Sequence, residues 1–258
     1  MIQPVLVLIL ITAFAAVPQA QSSPPQIGAV VQTWHYDAAK SAVILRIVNI
    51  SGKDITGWTT KIKETYDNGQ TNEHEYSTDN LQLMFTVQQY AGTADGENLR
   101  QFGNGTFQAG TSRDEAIPVA HPVKDCEAAI TVVLYADKTG ETTDQGAFDR
   151  MVSARKVAAS TMQKLSAIVR DAVLHSDTPH KTAAEQIRQM ETQWKSQRHT
   201  SYDLDTGVLE GALRNLEDAP RISANQNVTI TTYLNNYLAE NDRRASALAD
   251  HSKLGSVQ

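Results

Sequence analysis

Cysteine is almost absent from this chain, with Cys126 the single example in 258 residues. One thiol cannot close an internal disulfide, so the fold carries no covalent staple even if the compartment is oxidising. Cys126 opens an alternating apolar run, and its residue type and setting point to a small buried hydrophobe rather than a reactive thiol. No cysteine lies near the N-terminus, which excludes lipid attachment there by the bacterial lipoprotein route.

An excess of positive charge is missing too. The chain holds 23 basic and 29 acidic side chains, a net of −6. Residues 23–144 carry 9 basic and 16 acidic groups, a net of −7, and residues 145–258 carry 14 and 13, a net of +1. An acidic first half repels phosphate backbones, and no basic stripe with interleaved aromatics occurs in either half, so a nucleic-acid partner is excluded.

No apolar run reaches the roughly 20 residues that a spanning helix needs. The longest, Val5 to Val17, lies in a stretch from Met1 to Ala20 with no charged side chain, and small residues follow it at Ala20-Gln21-Ser22. That is the pattern of a secretory signal segment cleaved near residues 20–23, with residues 1–22 removed and the mature protein periplasmic or secreted. Only the α-amino group supplies positive charge ahead of it, and retention as an anchor is the competing reading.

Sequence motifs for chemistry are also missing. There is no His-Glu-x-x-His, no Gly-x-Ser-x-Gly, and no lysine after the glycines of Gly103-Asn-Gly-Thr-Phe107 to make a phosphate loop. Asp203-Leu-Asp205-Thr-Gly207 has the opening spacing of a calcium loop, but Glu210 comes too early to close it, and Ser201 to Asp205 reads instead as helix capping. Glu73-His74-Glu75 alternates across a strand, so its carboxylates share one face and its histidine the other, as suits a solvated edge strand. His175 and His180 flank Asp177 at a helix junction, where capping and solvation account for them. No catalytic residue, metal ligand or cofactor is assigned, and the binding residues are left unassigned. The sequons at Asn49, Asn104 and Asn227 matter only in a eukaryotic secretory route.

What is present is a change of period. From Gln26 to about Tyr135 the pattern alternates between turn formers, predicting strands at Ala29–Tyr36, Ala42–Asn49, Gly57–Tyr66, Gln70–Ser77, Leu81–Gln88, Glu115–Ala120 and Ala128–Ala136. Val43, Leu45 and Ile47 share one face. Trp58, Thr60 and Ile62 alternate with Thr59, Lys61 and Lys63, which predicts one wet face on that strand. Asp67-Asn68-Gly69 supplies a tight hairpin turn. Trp34 and Trp58 are expected in the core, and Tyr90 to Gly110, with five glycines, reads as a long loop.

Beyond Asp144 the spacing becomes helical. Phe148, Met151, Ala158, Met162, Leu165 and Val169 make one stripe over Gln145 to about His175. Thr178-Pro179 starts a second helix with the stripe Ala183, Ile187, Met190 and Trp194. Tyr202 to Leu216 predicts a shorter third helix. After Pro220, Asn225 to Asp250 predicts a fourth with Ile230, Leu234, Tyr237, Asn241, Ala245 and Leu248 in register, although residues 228–232 could begin as a strand. The fold class expected is α+β, an immunoglobulin-like antiparallel β-sandwich over residues 23–140 followed by an all-helical region over residues 145–258.

Asn49-Ile-Ser-Gly-Lys-Asp-Ile-Thr-Gly-Trp58, then Tyr66-Asp-Asn-Gly69, then Gln108-Ala-Gly-Thr-Ser112 before a strand, together resemble the extracytoplasmic immunoglobulin-like domains of the FxLYD kind. The resemblance covers about 110 residues of the β half. It implies an adhesive or structural module without catalytic residues, and nothing about the helical half. The function expected is a non-catalytic binding or scaffolding module of the cell envelope, with helices that bind another envelope protein or self-associate. The alternative is an extracytoplasmic hydrolase with its site in the 90–110 loop or in a cleft between the halves, lined by Glu97, Arg100 or His121.

Overall fold

The computed structural model describes residues 27–81, 84, 105–196 and 204–254. The signal segment therefore lies outside the described residues, as do residues 85–104. Seven strands come first: β1 (Ala29–Asp37), β2 (Ala42–Asn49), β3 (Ile55–Tyr66), β4 (Thr71–Asp79), β5 (Ser112–Pro118), β6 (Val123–Tyr135) and β7 (Gly140–Thr142). Four helices follow: α1 (Gln145–His175), α2 (Pro179–Ser196), α3 (Thr206–Asn225) and α4 (Ile230–Asp250).

The strands form two antiparallel sheets, one ordered β1-β2-β5 and the other β4-β3-β6-β7. Crossing from β4 to β5 takes the chain from one sheet to the other, a Greek-key step of the kind that builds sandwiches. Alternation explains the interior. Val43, Leu45 and Ile47 of β2 face Trp58 and Ile62 of β3 and Val133 of β6, all fully buried. The hairpin after β3 turns on Gly69 at φ 79°, with its N–H donating to the Tyr66 carbonyl at 2.9 Å.

The sandwich is buried on a third surface as well. Gly57 and Thr59 of β3 and Val132 and Leu134 of β6 point away from the sandwich core, and the first turns of α1 cover them with Phe148 and Met151. Thr59 is therefore dry, which corrects the expected wet face; only Lys61 and Lys63 remain exposed on it. A helix needs somewhere to lay its apolar stripe, and the outer face of this sheet is the nearest apolar surface.

The chain departs from the expected strands in five places, the first being β5, which runs Ser112–Pro118 in register with β2 and not Glu115–Ala120. Leu81 and Met84 are helical, the Met84 N–H donating to the Asn80 carbonyl at 2.9 Å, so no strand begins at Leu81; the rest of Leu81–Gln88 lies outside the described residues. β6 starts at Val123, well before Ala128, because it pairs along the full length of β3. β7, three residues long, was not expected. Phe107, placed in the long loop, is buried, forms an isolated bridge with Ile55 and packs on Trp58 with ring centroids 5.6 Å apart.

The helices start where capping chemistry dictates. Asp144, Asp205 and Thr229 accept hydrogen bonds from Ala147, Val208 and Thr232 N–H at 3.0, 3.0 and 3.1 Å. Thr229 thus caps a helix instead of opening a strand. Pro220 does not end α3, which runs on to Asn225. Proline removes one backbone hydrogen bond, and the burial of Leu216, Ala219 and Ser223 around it offsets the loss. α3 stops at a turn where Asn227 takes φ 53° and the Val228 N–H reaches the Ser223 carbonyl at 3.0 Å. The helical core gathers Leu165, Val169, Ile187, Leu209, Leu216 and Leu234, with Met190 and Trp194 packed at its margin.

Candidate functional site

The residues that drew attention in the sequence fall in separate places. Glu73 and Glu75 lie on the outer face of the edge strand β4. Lys61 donates to Glu73 at 2.6 Å and holds that carboxyl below its ordinary range, while Glu75 pairs with Arg150 of α1. His74 faces the other way. Its Nε2 lies 3.8 Å from Oε1 of Glu64, a buried carboxylate whose other oxygen accepts the Tyr66 hydroxyl at 2.8 Å. Cys126 stands opposite Glu64 in the β3–β6 ladder. Burial, reinforced by the Glu64 charge, pushes its thiol up to about 11, so it remains an unreactive thiol at neutral pH. His175 bonds Asp171 one turn back at 3.0 Å. Asp205 is committed to its cap, and Asp203, Glu97 and Arg100 lie outside the described residues. His121 is exposed, edge-on to the Tyr66 ring at 5.6 Å between centroids.

Asn49 is fully buried, and its amide donates to the carbonyls of Lys53 and Phe107, both at 2.9 Å, while its oxygen accepts from Ser51. This sequon ties a turn to the core and is not presented to a glycosylating enzyme. Nearby, the Arg113 guanidinium lies 4.9 Å from the Trp58 ring centre, and the Glu115 carboxylate accepts from Thr78 at 2.7 Å across the two sheets. These contacts close the sandwich edge between β4 and β5.

Among the described residues, a buried guanidinium joins the two halves. Arg155 of α1 is buried, with Nε 2.7 Å and Nη2 3.0 Å from the two oxygens of Asp79 at the end of β4. Its Nη2 also donates to the Thr56 hydroxyl at 3.0 Å, and Nη1 to the His251 carbonyl at 3.4 Å. One guanidinium fork therefore joins the sandwich, α1 and the segment after α4. A Cβ on Gly57 would lie 2.6 Å from the Met151 methyl and 3.2 Å from the Thr78 carbonyl, so α1 packs tightly over this glycine.

An open space does exist in the helical half. α4 packs chiefly along α1, and α3 packs chiefly on α2, so these consecutive helices splay apart. The groove between them measures about 900 Å³. Its floor is Met162, Ala212 and Asn241, the last held by donating to the Met162 carbonyl at 2.8 Å and the Ser166 hydroxyl at 2.9 Å. Gly207, Gly211 and Asn215 line the α3 wall, and Tyr233, Asn236, Tyr237, Glu240 and Arg244 the α4 wall. Glu240 accepts from both Arg243 and Arg244, so the charge in the groove is paired internally. Burial, with Tyr233 beside it, pushes the Tyr237 phenol up to about 12. It stays a hydrogen-bond donor at physiological pH, and no described residue accepts from it. The side chains of Asn215, Gln226 and Asn236 likewise bond no described residue.

The sequence could not have shown this groove. Asn215, Asn236 and Glu240 occupy the polar flanks of their helices, which read as solvated faces, whereas Met162, Tyr237 and Asn241 belong to the expected stripes, and Tyr237 does pack at the margin of the helical core. The clue, weak alone, was two glycines on α3 with no turn to require them.

The chain is thus an α+β protein, a seven-stranded β-sandwich-like part of two antiparallel sheets followed by four helices. Among the described residues no helix is long and apolar enough to cross a membrane. No family model and no curated protein matches the sequence. Among solved structures it is similar to a hypothetical protein from Peptoclostridium difficile 630, at 12% identity and a TM-score of 0.29, over 51% of this chain and 92% of that one.

Proposed function

We propose that this chain is an exported, non-catalytic binding module, in which an immunoglobulin-like sandwich of the FxLYD kind carries a helical unit whose α3–α4 groove is the recognition surface. The groove is the observation that supports this reading. At about 900 Å³ it lies at the upper end of the range that ligand sites occupy, roughly 300–1,000 Å³, and its wall offers unspent amides and a phenol. The buried Arg155 fork complements it, since a recognition surface works best on a frame that does not rearrange. Charges in the groove are already paired with one another or used as caps, which suits binding better than proton transfer.

Photo-crosslinking in the native envelope fraction tests the reading. A crosslinker replacing Asn236, in the groove, should give a discrete adduct, and one replacing the exposed Lys156 on α1 should give none. The Asn236 adduct should also fade when Gly211→Leu fills the groove. Equal labelling from both positions, or an adduct indifferent to Gly211→Leu, refutes the assignment of the groove.

A further inference from the structure

Building on the reading of the α3–α4 groove as the recognition surface, we infer that its ligand is a neutral, hydroxyl-rich chain, an oligosaccharide. Charge comes first. Glu240 pairs with both Arg243 and Arg244, and the Asp205 carboxylate accepts at the start of α3, so these two basic and two acidic side chains sum to no net charge. A phosphate, carboxylate or ammonium entering here would be stripped of water without meeting an unmatched opposite charge.

Hydrogen bonding comes second. Asn215, Gln226 and Asn236 each offer two donors and an acceptor, and Tyr237 adds a phenol, all of them uncommitted to described residues. A sugar hydroxyl both donates and accepts, so it can use either end of an amide. The Tyr233 and Tyr237 side chains, one turn apart on α4, combine an apolar ring with a polar tip, which matches the mixed C–H and O–H faces of a pyranose. A peptide would want either a bare strand edge or apolar anchor pockets in helical register, and this groove supplies neither.

Gly211 is the third observation. A Cβ there would meet nothing within 4 Å, so glycine serves no packing need, although it weakens the helix that contains it. Its effect is to lower the α3 wall and open the groove along its length, as a ligand in chain form requires.

Isothermal titration of the full-length protein tests this with three neutral tetrasaccharides as probes, the β-1,4 and α-1,4 tetramers of glucose and the β-1,4 tetramer of N-acetylglucosamine. At least one should bind saturably. Gly211→Leu should weaken it by about tenfold or more, and Tyr237→Phe by a few-fold. Gly211→Leu replaces glycine by a better helix former in open space, so its melting temperature should not fall, and lost binding would not reflect unfolding. Binding by none of the three, binding unchanged in Gly211→Leu, or displacement of the sugar by inorganic phosphate or tetra-aspartate would each overturn the inference. Should the sugars fail while the Asn236 crosslink still fades in Gly211→Leu, the ligand class is wrong and the recognition groove stands. Should the crosslink also ignore Gly211→Leu, both are wrong.

Discussion

The two halves fill their interiors differently. The sandwich is organised around one large ring, Trp58, with Phe107 against it and β-branched residues from both sheets around it. Trp58 Nε1, Thr60 Oγ1 and Glu64 Oε1 are buried there without a hydrogen bond, as His180 Nδ1 is in the helical half. The helical interior is small-grained, with Ala172, Ala183, Ala184, Ala212 and Ala219 letting helix axes approach, and the buried Asn241 amide there makes two hydrogen bonds. A sheet is held by its ladders even where a side chain is imperfectly matched, whereas helices are held only by the surfaces they share. Open space is therefore easier to build between two helices than inside a sandwich, and the groove is where the shared surface of α3 and α4 runs out.

The largest effect is expected where the halves meet. Arg155→Ala removes a buried guanidinium and leaves Asp79 and Thr56 without it, a loss of about 3–5 kcal/mol for a buried ion pair, toward the lower figure because Asp79 is partly exposed. The native chain should unfold in one denaturant transition. The variant should show two, monitored in a Trp194→Phe background by the fluorescence of Trp34 and Trp58 for the sandwich and by far-ultraviolet circular dichroism for the helices. A single, merely shifted transition would mean that the halves are coupled by apolar contact alone.

Within the bundle, Leu165→Ala should cost about 2–5 kcal/mol, because Leu165 is fully buried in a core of small residues that cannot move in to fill the gap. If the comparison holds, the edge-facing Tyr76→Ala in the sandwich costs less, since Tyr76 only packs against the rim of its core. Equal losses by urea titration would erase the distinction drawn between the two interiors. A smaller test concerns the α3 wall itself. Asp205→Ala should lower stability by about 1 kcal/mol through the lost cap, and Asp205→Asn should restore most of it. No restoration would mean that the carboxylate acts by charge.

How much of this was legible depends on what set each element. β1 to β4 and α1 follow the period of their own residues, and the expected bounds of α1, Gln145 to His175, are those observed. Elements set by a partner were not visible. β7 is three residues whose only reason to be extended is β6, and β6 is long because β3 is long. Phe107 is one ring in a glycine-rich stretch, and only the bridge to Ile55 reveals it as core. Pro220 carries a local stop signal that the packing of α3 overrides. No site residue was assigned from sequence, and the groove joins exposed amides at Asn215, Gln226 and Asn236 to the buried Met162, Ala212 and Asn241, a combination that no single helix's pattern displays.

The smallest expected effect is a pH dependence located at the junction. His251 is buried beside the Arg155 fork. Burial, then the charges of Arg155 and Lys138, hold its imidazole below the ordinary 6.5, while Asp250 and Asp79 pull weakly the other way. Between the depressed folded value and 6.5 the unfolded chain binds a proton that the folded chain refuses, so stability rises with pH across that window. Stability is then complete above 6.5, declines as the pH falls below it, and the loss is fully in place once the pH is under the folded value. Melting temperatures measured at about pH 7.5 and about pH 5 should therefore differ more for the native chain than for His251→Gln, which cannot take up the proton. Because His251 touches both halves through Arg155, the same acidification should begin to separate the two transitions that Arg155→Ala separates outright. If His251→Gln keeps the full pH dependence between these two values, the sensitivity resides in groups other than this imidazole, and the junction histidine takes no part in it.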